Sequence, residues 1–389
     1  MWPDIHLLGG LVGTWTTRSG FCNSEKFKNQ FSDFAESFVS YTLSQGLSST
    51  SRAREQRDLP PLRLPAVERL IAVGDLHGDL EKCKRAFKLA GVTDENDHWC
   101  AGHTVLVQVG DTLDRGDNEI ALNFFLERLE REAFLAGGAL YVLNGNHEIM
   151  NAGERFKYST DRAAEQFLQW KAMQHLAAGL KPASSGGAAA RRPKIRRGPW
   201  PRRRGGRAPA HGRRAPRHRA GGPFARRFLA HRPVALQVGS TVFAHGGVLP
   251  DHIGSGGLEQ VNQDTKRWLE GSLPESAMKG RRQPPFLAYS ESPVWTRRYS
   301  STKKAACDCD ALAQALEALP GARRMVVGHT IQDGINAACG DRVYRVDVGM
   351  SSGCRGSPPE VLEILNDKVV YRLREGMEPE KLSGNHTDL

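Results

Sequence analysis

The chain has 389 residues, 39% of them apolar and 25% charged, with a formal net charge of +11 and a pI near 9.4. That length holds one large or two ordinary domains with an ample core, seven cysteines are too few for a small disulfide scaffold, and no apolar run reaches the roughly 18 residues of a membrane span. The basic excess, which would otherwise point to nucleic acid or acidic membranes, is local: Lys181 to Gly222 carry 14 Lys and Arg and no Asp or Glu, leaving the remainder at net −3. A soluble intracellular protein is expected, with no membrane partner and no specific nucleic-acid partner.

Residues 1–67 read as an N-terminal extension. Leu7 to Val12 is too short for a secretory core and has no basic residues before it. Scarce Arg before residue 50 and the acids Asp4, Glu25, Asp33 and Glu36 argue against a transit peptide. The expected location is the cytoplasm, with mitochondrion or chloroplast as the alternative. Phe31, Phe34, Phe38 and Tyr41 recur at helical spacing, which makes Lys26 to Ser44 an amphipathic helix. Its mixed-charge polar face favours packing on the rest of the protein over a membrane. Gln45 to Pro65 is a polar linker.

Three short apolar runs follow, Ile71 to Val73, Val105 to Val109 and Tyr141 to Leu143, each rich in β-branched residues and each ending in glycine and polar residues. They read as buried strands. Helical periodicity over Leu80 to Ala90 and Glu119 to Phe134 separates them, so the pattern is strand, loop, helix, repeated. Strand ends are where open α/β sheets bind ligands. Those ends carry Asp75, His77, Asp111, Asn146 and His147. A carboxylate and an imidazole two residues apart can face one cation, Asp111 can bridge two, and Asn146 offers a carbonyl oxygen. Mixed oxygen and nitrogen donors suit Zn, Fe or Mn.

Asn151 to Leu180 reads as a loop and then a helix around Phe167, Trp170 and Leu176, near the mouth of such a site. Residues 181–222 are Arg, Pro, Gly and Ala with almost no large apolar side chains, the composition of a disordered segment or of a reading-frame error. Val234 to Val238 and Thr241 to Ala244 form a hairpin turning at Gly239 and Ser240. Its second strand delivers His245, followed by two glycines that permit close backbone approach. His231, upstream, reads as a surface residue. Leu258 to Leu269 is an amphipathic helix and Pro274 to Pro285 a loop. Ala311 to Leu319 is a helix, and Arg324 to Gly328 a strand delivering His329. Arg345 to Val348 and Val361 to Ile364 continue the sheet, Lys368 to Leu373 closes its edge, and residues 375–389 are a loose polar tail. Cys307 and Cys309 read as loop thiols; the sharper alternative is a redox pair involving Cys339 or Cys354.

The motifs GDLHGD (Gly74 to Asp79), GDTLDRG (Gly110 to Gly116), GNHE (Gly145 to Glu148), AHGG (Ala244 to Gly247) and GHT (Gly328 to Thr330) resemble those of the PPP-type protein serine/threonine phosphatases. Asp79, VWTRRY at Trp295, CDCDAL at Cys307 and RVDVGMSSGC ending at Cys354 are similar to the Shewanella-like branch. The resemblance implies an α/β fold, a four-layer metallophosphoesterase sandwich of two mixed β-sheets flanked by helices, over residues 68–374 and interrupted at 181–222. It implies two metal ions, Mn, Fe or Zn, the first held by Asp75, His77 and Asp111 and the second by Asp111, Asn146, His245 and His329. Phosphate is then gripped by Arg115 and, from the PVW-x-R segment, Arg297. His147, oriented by Asp114, serves as the acid, or else as a further ligand. The implied activity is metal-dependent protein serine/threonine phosphatase action on phosphoprotein substrates, by direct attack of a metal-bridging hydroxide. The alternatives are a dinucleoside polyphosphate hydrolase or phosphotyrosine-selective enzyme of the same fold, and, in another class, an inactive or basic-segment nucleic-acid-binding protein. The toxin-contacting tail motif of the common branches is replaced by RVDVGMSSGC, so insensitivity to the usual natural toxins is expected.

Two other catalytic strings fail on context. GMSSG (Gly349 to Gly353) is followed too soon by Pro358 and Pro359 to open the helix of a nucleophile elbow. CGDRVYR (Cys339 to Arg345) has the Cys-x5-Arg spacing, but Val343 onward reads as a strand, not a phosphate loop.

Overall fold

The computed structural model describes residues 58–167, 170, 219–254 and 256–383. The expected helix at 26–44, its linker up to residue 57, Leu176 and the basic stretch as far as 218 lie outside the described residues.

The three apolar runs become parallel strands, the first two buried along their length and the third, at the sheet edge, buried on one face. These are β2 (Arg69–Val73), β3 (Val105–Gln108) and β4 (Ala139–Val142). With β10 (Glu360–Leu365), β11 (Val369–Arg374) and β12 (Glu380–Ser383) they build a six-stranded mixed sheet in the order β12-β11-β10-β2-β3-β4. The other sheet has the order β1-β5-β6-β7-β9-β8. Its members are β1 (Arg63–Leu64), β5 (Ala235–Val238), β6 (Thr241–Ala244), β7 (Arg324–Val327), β8 (Asn336–Ala338) and β9 (Val343–Arg345).

The sheets pack face to face. Ile71, Val107 and Leu140 of one belong to the same continuous core as Leu236, Phe243, Val326 and Tyr344 of the other. Helices α1 (Leu80–Leu89) and α2 (Glu119–Leu135) add Phe87, Phe125 and Leu129 to that core. On the far side, α4 (Gly257–Glu270) and α5 (Cys309–Ala318) pack Leu258, Leu312 and Leu316 against Val242, Met325 and Val327. The result is four layers, with the short α3 (Asn146–Ala152) at the site end. Asp79 caps α1 through Lys82 N (3.1 Å) while its other oxygen accepts from Ser352 N and Oγ (both 2.9 Å), tying the helix start to the GMSSG loop.

Several expectations are corrected. The tail after Arg374 is not loose as far as Ser383, the last described residue: β12 pairs with β11 and closes the edge assigned to Lys368 to Leu373. Arg374 donates to Glu380 at 2.8 Å, so ion pairing across the strands replaces the apolar burial that periodicity detects. Within the extension assigned to 1–67, β1 pairs in parallel with β5. The strand expected at Arg345 to Val348 ends at Arg345, because Asp347 turns the chain by accepting from Gly349 N at 2.8 Å. Helical turns at Glu275–Met278 and Pro285–Ala288 interrupt the loop read over 274–285. The last residues of the basic stretch are ordered: Ala220 N and Gly221 N donate to Ala152 O and Leu269 O. Cys309 is not a loop thiol. It opens α5 and forms a disulfide with Cys339 beyond β8, while Cys307 stays buried with its thiol on Tyr299 O. Sheet packing brings the two together across a separation of 30 residues. Removing the bridge in a Cys309→Ser, Cys339→Ser protein is expected to cost about 3 kcal/mol of stability, read as a lower urea midpoint.

Candidate dimetal site

Parallel β2, β3 and β4 end at one edge of their sheet, and β6 and β7 end beside them in the other. The loops leaving these five strands therefore converge. Asp75 and His77 follow β2, Asp111 follows β3, Asn146 opens α3 after β4, and His245 and His329 follow β6 and β7; all are buried.

The motif glycines are there for the carboxylates. A Cβ on Gly145 would lie 2.2 Å from Asp111 Oδ1, and one on Gly328 would lie 2.4 Å from Asp75 Oδ1. The loops are also strained. His77, Asp111, Asp114, Arg115 and His329 all have positive φ, between 43° and 68°, a region non-glycine residues avoid. Hydrogen bonds hold the strain in place: Leu76 N and His77 N donate to Asp111 O (3.1 and 2.8 Å), and Gly78 N donates to Thr112 O (2.9 Å).

Glu148 organises the other side, and sequence reasoning missed its part. Its buried carboxylate accepts from Asp111 N (2.9 Å), Thr112 N (2.8 Å), Leu113 N (3.1 Å), Gly145 N (2.8 Å) and Thr112 Oγ1 (3.0 Å). Glu148→Ala would orphan four backbone donors, so a loss of about 3 kcal/mol or more is expected in denaturant unfolding.

At the centre, Asp111 Oδ2 lies 3.2 Å from His245 Nε2, 3.7 Å from His77 Nε2 and 3.8 Å from His147 Nε2. Two groups of potential ligand atoms, each within 4.8 Å of one another, share this carboxylate: His77, Asp111 and His147, and Asp111, His245 and His329. Backbone carbonyls orient the rings. His77 Nδ1 donates to Leu113 O (2.9 Å), His245 Nδ1 to Val109 O (3.0 Å) and His329 Nε2 to Trp295 O (3.1 Å), leaving the opposite nitrogen of each aimed inward.

A cation fits this donor set. His245 Nε2 lies 2.9 Å from Asn146 Oδ1 and 3.1 Å from His329 Nδ1, so lone pairs converge with Asp111 on one small volume. Burial would lower His245, but Asp111 and Asp75 outweigh it and push it up to about 10. Burial lowers His77 to about 4 and His329 further still, keeping both imidazoles neutral and able to ligate. Burial would raise Asp111, but the surrounding histidines hold it well below the usual carboxylate range. Asp75 is raised by burial and by Asp347. Its Oδ1 lies 3.9 Å from His245 Nδ1 and accepts from His329 N (3.3 Å). His147 also stands beside His77 and Asp111.

Asp347 was also missed. It is buried next to Asp75, and burial pushes it up to about 6. The signal available was a lone Asp between Val346 and Val348, two residues before Gly349.

His147 Nδ1 donates to Asp114 Oδ2 at 2.7 Å, and Asn151 Nδ2 donates to the same oxygen at 3.0 Å. Burial would lower His147, but the Asp111 charge and the Asp114 hydrogen bond hold it above its ordinary value. Arg115 lies over the ring of Tyr158 (5.2 Å), which itself stands 5.2 Å from the His147 ring. Exposed Arg297 donates from Nη1 to His329 O (2.8 Å) and Thr330 Oγ1 (2.7 Å). Half-buried His231 belongs to neither group of potential ligands. Gly349 to Gly353 open no helix, and Cys339 is held in the disulfide, so neither rival string builds a nucleophile.

Paired sheets with carboxylates and imidazoles at their shared edge define a two-metal phosphoesterase. Residues 68–333 match the family model of calcineurin-like phosphoesterase. Over 360 residues the chain is 42% identical to Shewanella-like protein phosphatase 2 of Arabidopsis thaliana, covering 90% of this chain and 88% of that protein. Over 308 residues it is 25% identical to Shewanella-like protein phosphatase 1 of Plasmodium berghei, covering 77% and 73%. The chain belongs to the calcineurin-like phosphoesterases, in their Shewanella-like protein phosphatase branch. Its fold is similar to that of a cold-active protein-tyrosine phosphatase of a psychrophile Shewanella sp., with TM-score 0.61, 21% identity and coverage of 85% and 84%. It is also similar to a protein serine/threonine phosphatase of Saccharomyces cerevisiae, with TM-score 0.50, 11% identity and coverage of 91% and 92%.

Proposed function

We propose that this chain is a metal-dependent protein phosphatase that hydrolyses phosphoserine and phosphothreonine monoesters. The observation that carries this reading is a single buried carboxylate, Asp111, shared by two groups of oriented imidazoles, one of which includes His147 with its Nδ1 held by Asp114. Asp75, His77, Asp111, Asn146, His245 and His329 would hold two divalent ions, with Mn, Fe and Zn suited to the donors. Such ions supply Lewis acidity and an activated water for in-line attack on phosphorus.

The chain's own groups do the rest. Arg115 and Arg297 grip the phosphoryl oxygens as planar donors. His147 gives its proton to the departing serine or threonine oxygen, with Asp114 fixing its tautomer. Arg115→Ala or Arg297→Ala is expected to raise KM for a phosphothreonine peptide by roughly tenfold or more, since each removes a charge-assisted hydrogen bond to phosphate. An unchanged KM would remove that residue from the clamp.

The test of the substrate class is manganese-dependent turnover of a phosphothreonine peptide against a phosphotyrosine peptide and diadenosine tetraphosphate. Preference for the first supports the reading. Preference for the dinucleotide overturns it in favour of phosphoanhydride hydrolysis. For location, the Cys309–Cys339 disulfide weighs against the reducing cytosol. Finding the tagged chain only in the cytosolic fraction would reverse that. No described helix is long and apolar enough to cross a membrane.

A further inference from the structure

Two aromatic rings link the site to two outer cations. Tyr158 stands beside the His147 ring and carries Arg115 at 5.2 Å from its centroid; Lys157 Nζ lies 5.1 Å from the same centroid. Trp295 meets the His329 ring edge-on at 5.7 Å and carries Arg155 Cζ at 6.0 Å. Lys157 and Arg155 therefore each lie one ring outward from an imidazole of the site. Both are exposed. Neither makes an ion pair with a carboxylate among the described residues, and Glu154, the acid next to Arg155, is turned to Arg282 at 2.7 Å.

We infer that Arg155 and Lys157 form a second anion subsite at the site mouth, selecting phosphopeptides with Asp or Glu close to the phosphorylated residue. This rests on the protein-phosphatase reading above and adds its substrate preference. Cations with no internal partner, held by rings against a phosphate-binding centre, are complementary to carboxylates that arrive with the phosphate. An extended peptide advances about 3.3 Å per residue, so neighbours two or three positions away reach one ring's width beyond the phosphate. Tyr158 and Trp295 fix where the cations stand and leave the charges in water, so the effect falls on substrate capture and is screened by salt.

The test uses two phosphothreonine peptides that differ only in having Glu or Gln at the flanking positions. Their ratio of kcat/KM is measured for the full chain and for an Arg155→Glu, Lys157→Glu protein. The ratio within each protein cancels any general change in turnover. A wild-type preference of roughly fivefold or more for the Glu peptide is expected, carried by KM, shrinking as NaCl is raised and falling below one after charge reversal. The salt dependence of the wild type stands without any variant. A wild-type ratio near one with both peptides cleaved overturns the subsite and leaves the phosphatase reading intact. So does a preference that salt and charge reversal leave unmoved. Cleavage of p-nitrophenyl phosphate with neither peptide cleaved overturns both.

Discussion

Asp111→Asn is expected to lower kcat for a phosphothreonine peptide on the order of a thousandfold or more and to reduce the bound metal. Asp111 Oδ2 is the atom both ligand groups share, 3.2 Å from His245 and under 4 Å from His77 and His147. An amide has nearly the same shape but no charge, so it cannot neutralise two cations or balance the histidines around it. Folding should survive. Asp111 Oδ1 accepts from His147 N at 2.9 Å, which an Asn oxygen also does, and the main chain is held by Glu148 rather than by this side chain. The readouts are manganese-dependent turnover, metal content by mass and the unfolding midpoint. Turnover close to the parent's, with both metals retained, would sink the two-metal reading; a lost midpoint would point to misfolding instead.

His147→Gln should lower kcat for the same peptide by roughly 10²- to 10⁴-fold, the range for loss of a positioned acid. The loss should be much smaller for p-nitrophenyl phosphate, whose leaving group departs without a proton. That difference separates an acid from a ligand, because removing a ligand slows both substrates alike. Asp114→Asn gives the pH signature. The acid works while protonated, so activity is present below its pKa and lost as pH rises through it. His147 stands above its ordinary value because Asp111 and Asp114 outweigh burial. Removing the Asp114 charge lowers it, so the alkaline limb of kcat should move to lower pH. An alkaline limb that stays put in Asp114→Asn would exclude His147 as the group it reports.

The ligand-bearing residues were legible because they sit where a pattern changes. Asp75, Asp111 and Asn146 each follow an apolar run that stops at glycine, and a fully buried parallel strand is the element sequence reports most plainly. The hairpin bearing His245 was legible for the same reason, through Gly239 and Ser240 between two β-branched runs. β12 was not, since Glu380 to Ser383 are stabilised by Arg372 and Arg374 across the sheet and have no apolar alternation of their own. Asp347 was passed over because its strand was read three residues too long, which hid it inside the sheet instead of beyond its end.

By itself the sequence determined the strand-loop-helix pattern, the order of the site motifs and which side chains could meet a metal, while the four-layer sandwich followed from the resemblance those motifs carry. These depend on local chemistry: apolar runs that must be buried, glycines that must give room, carboxylates and imidazoles with lone pairs. Only the tertiary structure decided how those side chains are shared. It brought His147 beside His77 and Asp111, set Glu148 under two loops, paired Cys309 with Cys339 and hung Lys157 and Arg155 on rings that face the site. Apart from Lys157 and its neighbour Tyr158, each is a contact between residues far apart in the chain or on different loops, and its geometry comes from how two sheets pack, which no local spacing encodes.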